Sequence, residues 1–366
     1  MDTYFATYRS NTLGGFSNQS RCTARQARTG RIFYRITCGG TYRYSLLFSD
    51  TTDSTFRESA PNHSCGNWHI HAAAVARVGS DFFEDDFRSD AAANRPVTDF
   101  VPLTFGGATS KTVEKGECFA GDPLTLTFAD GDYLCLELTV SGNSIPCHPE
   151  CVLPIYIKQP NGRFAYGCDL PAAIMVGCDR SVASHVGFLG DSITQGIGPA
   201  YNSYGHWSAL LAHKIGNEHA YWNLGIGCGR AADAATGGAW LTKAMHCDTV
   251  FVCFGVNDLS AGHTADRIIA SLTAIVKQLK DAGKTVILQT VPPFDYNPER
   301  TAIWQAVNTH LLTVLSQQVD MIFDCVPILG GDPPQTAPYG GHPNAEGSRL
   351  WADALYTKLL QAEVSL

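Results

Sequence analysis

The feature that most constrains this chain is a change of rhythm near residue 185. Upstream, apolar and polar residues alternate over short stretches broken by Gly, Pro, Asp and Asn. A period of two puts one side of each stretch in a core and the other in water, as a half-buried β-strand requires. Leu124, Leu126 and Phe128, then Asp130-Gly131-Asp132, then Leu134, Leu136, Leu138 and Val140 read as a β-hairpin about a turn. Further strands are expected over 31–38, 42–49, 68–78 and 97–105, and no long helix. Residues 1–180 are therefore read as one all-β sandwich domain.

Downstream, apolar runs alternate with helical spacing. The runs at 185–189, 250–254, 286–288 and 321–323 predict strands buried on both faces. Trp207, Leu210, Leu211 and Ile215 recur at helical spacing, as do Ile268, Leu272, Ile275, Val276 and Leu279, with Gly283 placed to end that helix. Two more helices are predicted over 300–317 and 346–360. This order predicts an α/β domain over 181–366, a parallel sheet with helices on both faces. The join near 178–187 has no Gly/Ser- or Pro-rich linker, so the two halves are expected to act as one unit. In such sheets ligands bind at the carboxyl ends of the strands, so functional residues are expected just after each strand.

After the first predicted strand comes Gly190-Asp191-Ser192-Ile193-Thr194-Gln195-Gly196. A serine in a tight Gly-flanked turn between strand and helix exposes its hydroxyl beside helix N-terminal N–H groups, which suits a nucleophile. After the third comes Gly255-Val256-Asn257-Asp258, where an amide can donate to a developing oxyanion or an Asn-Asp pair can simply cap a helix. Before the last helix comes Gly341-His342-Pro343-Asn344. Each piece alone also fits an ordinary turn or cap.

Together, Gly-Asp-Ser-Ile-Thr, Gly-x-Asn-Asp and His-Pro-Asn, in that order, resemble the blocks of the SGNH/GDSL hydrolase family over roughly residues 183–362. The resemblance implies a flavodoxin-like three-layer αβα domain that hydrolyses esters, and sometimes thioesters, by acyl transfer through serine. It implies Ser192 as nucleophile, His342 as general base, and an oxyanion hole of Ser192, Asn257 and a residue after the second strand. In Asn223-Leu224-Gly225-Ile226-Gly227-Cys228-Gly229-Arg230 the family's glycine position falls on Cys228, with Gly227 and Gly229 as alternative backbone donors. The family's aspartate, three residues before the histidine, is replaced by Tyr339. A neutral phenol cannot offer the same charge at neutral pH. Three outcomes stay open: a Ser192–His342 dyad, favoured here; Asp332 folding back as a displaced third member; or a crippled site.

The Phe105-Gly106-Gly107 and Gly121-Asp122-Pro123-Leu124 segments, with the 134–140 strand, resemble the jelly-roll-like β-sandwich that precedes some carbohydrate-active members. The expected function is therefore removal of a small acyl group, such as acetyl, from a carbohydrate or similar alcohol. A lipase or thioesterase, and a non-catalytic binding protein that retains the fold, are the alternatives. Tyr201, Tyr204 and Trp240 lie near the strand-end loops and read either as core or as sugar-stacking faces.

Composition excludes other classes. Lys+Arg 26 against Asp+Glu 34 gives a net charge of −8, which argues against binding nucleic acid or an anionic membrane through bulk charge. Mean hydropathy is −0.06, and no apolar run reaches the ~20 residues of a membrane span. The N-terminus lacks the pattern of a secretory signal, so a cytoplasmic protein with reduced thiols is expected. No cofactor is expected, because neither Gly-x-Gly-x-x-Gly nor Gly-Lys-Ser/Thr follows the first strand of the α/β domain. Among the 13 cysteines, Cys147-His148-Pro149-Glu150-Cys151 lacks a second ligand pair nearby and is read as structural, so no metal is expected. Trp68-His69-Ile70-His71 reads as an ordinary half-exposed strand.

Overall fold

The computed structural model of the protein describes residues 1–14, 16–83, 86–337 and 340–366. The chain divides into two compact units: Met1–Thr52 with His63–Ser181, and Asp53–Asn62 with Val182–Leu366. No helix among the described residues is long and apolar enough to cross a membrane.

The first unit is all-β apart from short helical turns. One antiparallel sheet runs Arg9–Ser10, Met175–Cys178, Gly40–Ser49, Leu124–Phe128, with Cys118–Ala120 also on Gly40–Ser49. The other runs Phe164–Tyr166, Ile155–Lys158, Ser20–Arg35, Tyr133–Cys147, Trp68–Val78, Val101–Pro102, with Lys111–Val113 also on Trp68–Val78. Trp68 of the second sheet meets Phe119 of the first at 6.4 Å between ring centroids, inside a core of inward-facing side chains. His69 and His71 face outward and bond Thr112 and Ser141.

One expectation is corrected. Leu124–Phe128 pairs with Gly40–Ser49, whereas Tyr133–Cys147 pairs with Ser20–Arg35 and Trp68–Val78. The stretch that reads as a hairpin is a corner between sheets. Alternation reports that each strand has a buried face and says nothing about its hydrogen-bonding partner. Asp132 holds the corner, accepting from the Ala129 N–H at 2.7 Å and pairing with Arg77 at 2.6 Å.

The second unit carries five parallel strands: His185–Gly190, Ala220–Asn223, Thr249–Cys253, Thr285–Gln289 and Met321–Phe323. Their spatial order is second, first, third, fourth, fifth. That is the flavodoxin-like doubly wound order, and it agrees with the αβα reading. The first strand is thus flanked by the second and third, and the residues after all three meet at one edge. Ala265–Asp281 buries the five apolar residues picked out by their spacing, and the Thr264 side chain caps its start. Asn297 caps Pro298–Thr313, and Pro298 sits in its first turn, where its missing N–H costs no bond. Trp207 and Trp351 stack at 5.3 Å, pinning Trp207–Ile215 to Ala345–Ala362.

Candidate active site

The first strand ends at Gly190, and the chain turns at once into the short helix Ser192–Gln195. The Asp191 side chain caps that turn by accepting from the Ile193 N–H at 3.0 Å. Burial, and then the nearby charge of Asp258, pushes the Asp191 carboxyl up to about 7. The turn is also tied from the second strand. Asn223 Nδ2 donates to the Thr194 carbonyl at 3.0 Å, and Asn223 Oδ1 accepts from the Gly225 N–H at 2.9 Å. A Cβ on Gly225 would lie 2.2 Å from the Gln195 nitrogen, so only glycine lets the two loops approach this closely. Ser192 therefore stands at the sheet edge on a braced turn, 8% exposed.

Ser192 Oγ lies 2.8 Å from His342 Nε2, across 150 residues of sequence. His342 reaches it from the loop before Ala345–Ala362, a helix that Asn344 caps by accepting from the Gly347 N–H at 2.8 Å. His-Pro-Asn thus sets both the helix start and the imidazole two residues ahead of it. Phe294 packs edge-on against the His342 ring at 5.0 Å. Gly341 permits this, because a Cβ there would lie 2.4 Å from the Phe294 Cα and its φ is +73°.

Asn257 follows the third strand in the short helix Val256–Ser260, and its Nδ2 donates to the Gly229 carbonyl at 2.9 Å. That bond ties the third-strand loop to the Cys228–Gly229 loop after the second strand. Cys228 is left-handed at φ +58°, a conformation that favours glycine. Asp258 fixes the turn beyond Cys228: it accepts from the Ala231 N–H at 2.8 Å and the Ala232 N–H at 3.1 Å, capping Ala231–Ala234, and pairs with His263 at 3.2 Å. Burial raises the Asp258 carboxyl despite these partners. His206, buried at the start of Trp207–Ile215, is pushed down to about 4 and is neutral near pH 7.

The structure therefore brings Ser192 to His342 and Asn257 to the Cys228–Gly229 loop. Asp332 is used elsewhere: its carboxylate accepts from the N–H groups of Phe294 (3.1 Å), Asp295 (2.7 Å) and Tyr296 (3.2 Å). Tyr339 lies outside the described residues. Tyr204 and Trp240 are core; Trp240 donates to the Leu224 carbonyl at 2.7 Å. Tyr201 is half-buried. Asp258, in the Gly-x-Asn-Asp block, serves as the helix cap that the block allowed, though for Ala231–Ala234 rather than for its own helix. Asn223 and Phe294 are supports to which motif reading gave no role; only Asn223, a polar residue closing an apolar strand, leaves a local signal.

Residues 188–350 match the GDSL-like Lipase/Acylhydrolase family. No curated protein matches the chain. Among solved structures, a family two carbohydrate esterase from Clostridium thermocellum in complex with cellohexaose is 15% identical, covers 97% of this chain and 98% of that one, and has a TM-score of 0.41. A carbohydrate esterase family 3 protein from Talaromyces cellulolyticus is 24% identical, with 50% and 99% covered and a TM-score of 0.38. The psychrotrophic esterase EstA from a Pseudoalteromonas species is 20% identical, with 48% and 97% covered and a TM-score of 0.40.

Proposed function

We propose that this protein, a member of the GDSL-like lipase/acylhydrolase family through residues 188–350 and so a carboxylic ester hydrolase, works through Ser192 and removes a small acyl group, such as acetyl, from a carbohydrate or similar alcohol. The observation that carries the reading is the 2.8 Å approach of Ser192 Oγ to His342 Nε2 at the carboxyl edge of the sheet.

In this reading His342 takes the hydroxyl proton as Ser192 Oγ attacks the ester carbonyl. The Ser192 N–H, the Cys228 N–H and Asn257 Nδ2 receive the oxyanion. The imidazolium then protonates the leaving alcohol. A water attacks the acyl-serine, with His342 again as base, and frees the acid. Because Asp332 is engaged by three backbone N–H groups, the reading is a Ser192–His342 dyad.

The small acyl group follows from the resemblance to carbohydrate-active esterases, and the chain-length panel below tests it. The carbohydrate rests on the likeness of residues 1–180 to the β-sandwich of carbohydrate-active relatives. The test is a panel of p-nitrophenyl esters from acetyl to long-chain, with acetylated xylose and glucose, run on the parent and on Ser192→Ala. Acetyl esters should turn over fastest, and the variant should lose several orders of magnitude with its melting temperature kept. Full activity in Ser192→Ala removes the nucleophile assignment. A preference for long chains moves the substrate to lipids.

A further inference from the structure

Away from the hydrolase site, the first unit gathers three metal-ligating side chains from three parts of the sequence. The Sγ atoms of Cys22 and Cys147 and a carboxylate oxygen of Asp169 all lie within 4.8 Å of one another. Cys22 is on Ser20–Arg35 and Cys147 on Tyr133–Cys147, adjacent antiparallel strands of the larger sheet. Asp169 follows Phe164–Tyr166, and its backbone carbonyl accepts from Arg28 Nη1 at 2.8 Å. Arg28 shares a strand with Cys22, so the aspartate is moored to the strand that carries the first thiol.

The pairing register separates two uses of these thiols. Cys22 stands opposite Ile145, and Cys147 stands opposite Ser20. The two cysteines are thus diagonal neighbours on one face of the sheet, roughly 7–8 Å apart. A disulfide needs Cα atoms about 4.4–6.8 Å apart, so a direct bond suits this diagonal poorly. A cation between the sulfurs suits it well. With Zn–S near ~2.3 Å and Zn–O near ~2.1 Å, tetrahedral ligand atoms sit about 3.5–3.8 Å apart, so closure from 4.8 Å takes shifts of about an ångström. Two thiolates and one carboxylate select a borderline-soft ion of flexible geometry, which is zinc rather than magnesium or calcium.

We propose that Cys22, Cys147 and Asp169 form a zinc site with three protein ligands, the fourth position taken by water from the exposed Asp169 side. Cys147 is buried and Cys22 half-buried, so the ion is walled on the sheet side and reached past Asp169. Of the Cys147-to-Cys151 segment only Cys147 takes part. The buried His148 ring packs on Phe16 at 5.4 Å, and Cys151 Sγ accepts from the Leu153 N–H at 3.4 Å. The site is independent of the Ser192 reading.

The test is a titration of reduced, metal-free full-length protein with Co²⁺ and then Zn²⁺, under anaerobic conditions. One Co²⁺ per chain should bind, with the near-ultraviolet thiolate-to-cobalt band and the intense visible bands of a four-coordinate ion, and one equivalent of Zn²⁺ should erase both. Cys22→Ala should abolish the charge-transfer signal, and so should Cys147→Ala. Asp169→Asn, an exposed change that spares the core, should weaken Zn²⁺ binding by at least the roughly 10-fold typical of losing a supporting group. The far-ultraviolet circular dichroism spectrum and the melting temperature serve as the folding check for all three variants. Absence of stoichiometric binding overturns the proposal. So does a cobalt signal unchanged in Cys22→Ala and Asp169→Asn, which would place the ion on other thiols. A Cys22–Cys147 disulfide formed in air by protein that binds no metal would also overturn it, in favour of a redox pair.

Discussion

At the scale of single residues, each polar group of the site has its own exposure and partner, and these make distinct predictions. Asn257 spends one amide hydrogen on the Gly229 carbonyl, and in the proposed mechanism the other meets the oxyanion. Asn257→Ala should lower kcat by about 10²–10³ with KM nearly unchanged, as for loss of one oxyanion donor. A raised KM with kcat intact would make Asn257 a substrate-positioning group. Asp191 makes a prediction about stability instead. Unfolded, an aspartate titrates near ~3.9, and folded, this one titrates at about 7 because it is buried. Between those values the native state holds a proton that the unfolded chain has released. The residue's contribution to stability therefore falls as pH rises from about 4 to 7 and is level above that. Asp191→Asn keeps an oxygen to accept from the Ile193 N–H. The variant should match the parent near pH 4 and exceed it near pH 8, by up to roughly 4 kcal/mol. Urea midpoints across that range decide it; a gap independent of pH would mean that Asp191 does not titrate there.

At the scale of elements, the parts written in contiguous residues were legible and the parts assembled across the sequence were not. A strand buried on both faces reads as a near-continuous apolar run, so the core of Thr249–Cys253 from Val250 onward and Met321–Phe323 stand out with no partner known. Gly190 to Gly196 and His342 to Asn344 are equally legible, because a tight strand-to-helix turn and a helix cap are local devices. The corner at Ala129–Asp132 was not, since pairing is a property of two strands and alternation of one. Nor was the place of Asp332, whose partners lie 36 to 38 residues away. By gripping the Phe294–Tyr296 backbone, Asp332 holds the loop whose Phe294 ring rests on His342. Under the proposed dyad this makes it a positioning residue. Asp332→Asn retains an accepting oxygen and should keep activity within a few-fold. Asp332→Ala strands three amides and should cost about 1–3 kcal/mol of stability, with a loss of kcat well short of the ~10⁴ typical of a triad acid. A drop of three or more orders in Asp332→Asn, with the fold intact, would instead make it the displaced third member.

At the scale of the whole molecule, the second unit is not a continuous piece of sequence. Asp53–Asn62 belongs to it, entering between the short paired strands Thr51–Thr52 and His63–Ser64. Asp53 forms a buried ion pair with Lys243. Thr55 bonds Arg230 and Asp233 beside the Cys228 loop, and Asn62 accepts from the Ala239 N–H at 2.8 Å. No composition or motif marks these residues, because their function is to complete a surface encoded nearly two hundred positions later. Breaking a buried pair from one side leaves a charge without its counter-ion, which costs about 3–5 kcal/mol. Asp53→Ala should lower stability by that order, and Asp53→Ala with Lys243→Met should recover most of it, since the stranded ammonium is then gone. A fragment of residues 182–366 lacks Asp53, Thr55 and Asn62 together. It should therefore unfold at a lower urea concentration than the second unit does in the full chain. Its ester hydrolysis should also be slower, because Arg230, two residues after Cys228, has lost its Thr55 partner. Adding Lys243→Met to the fragment should restore stability without restoring rate. Recovery of both would show that the segment acts only through the buried charge, and recovery of neither would show that the ion pair is not what the fragment misses.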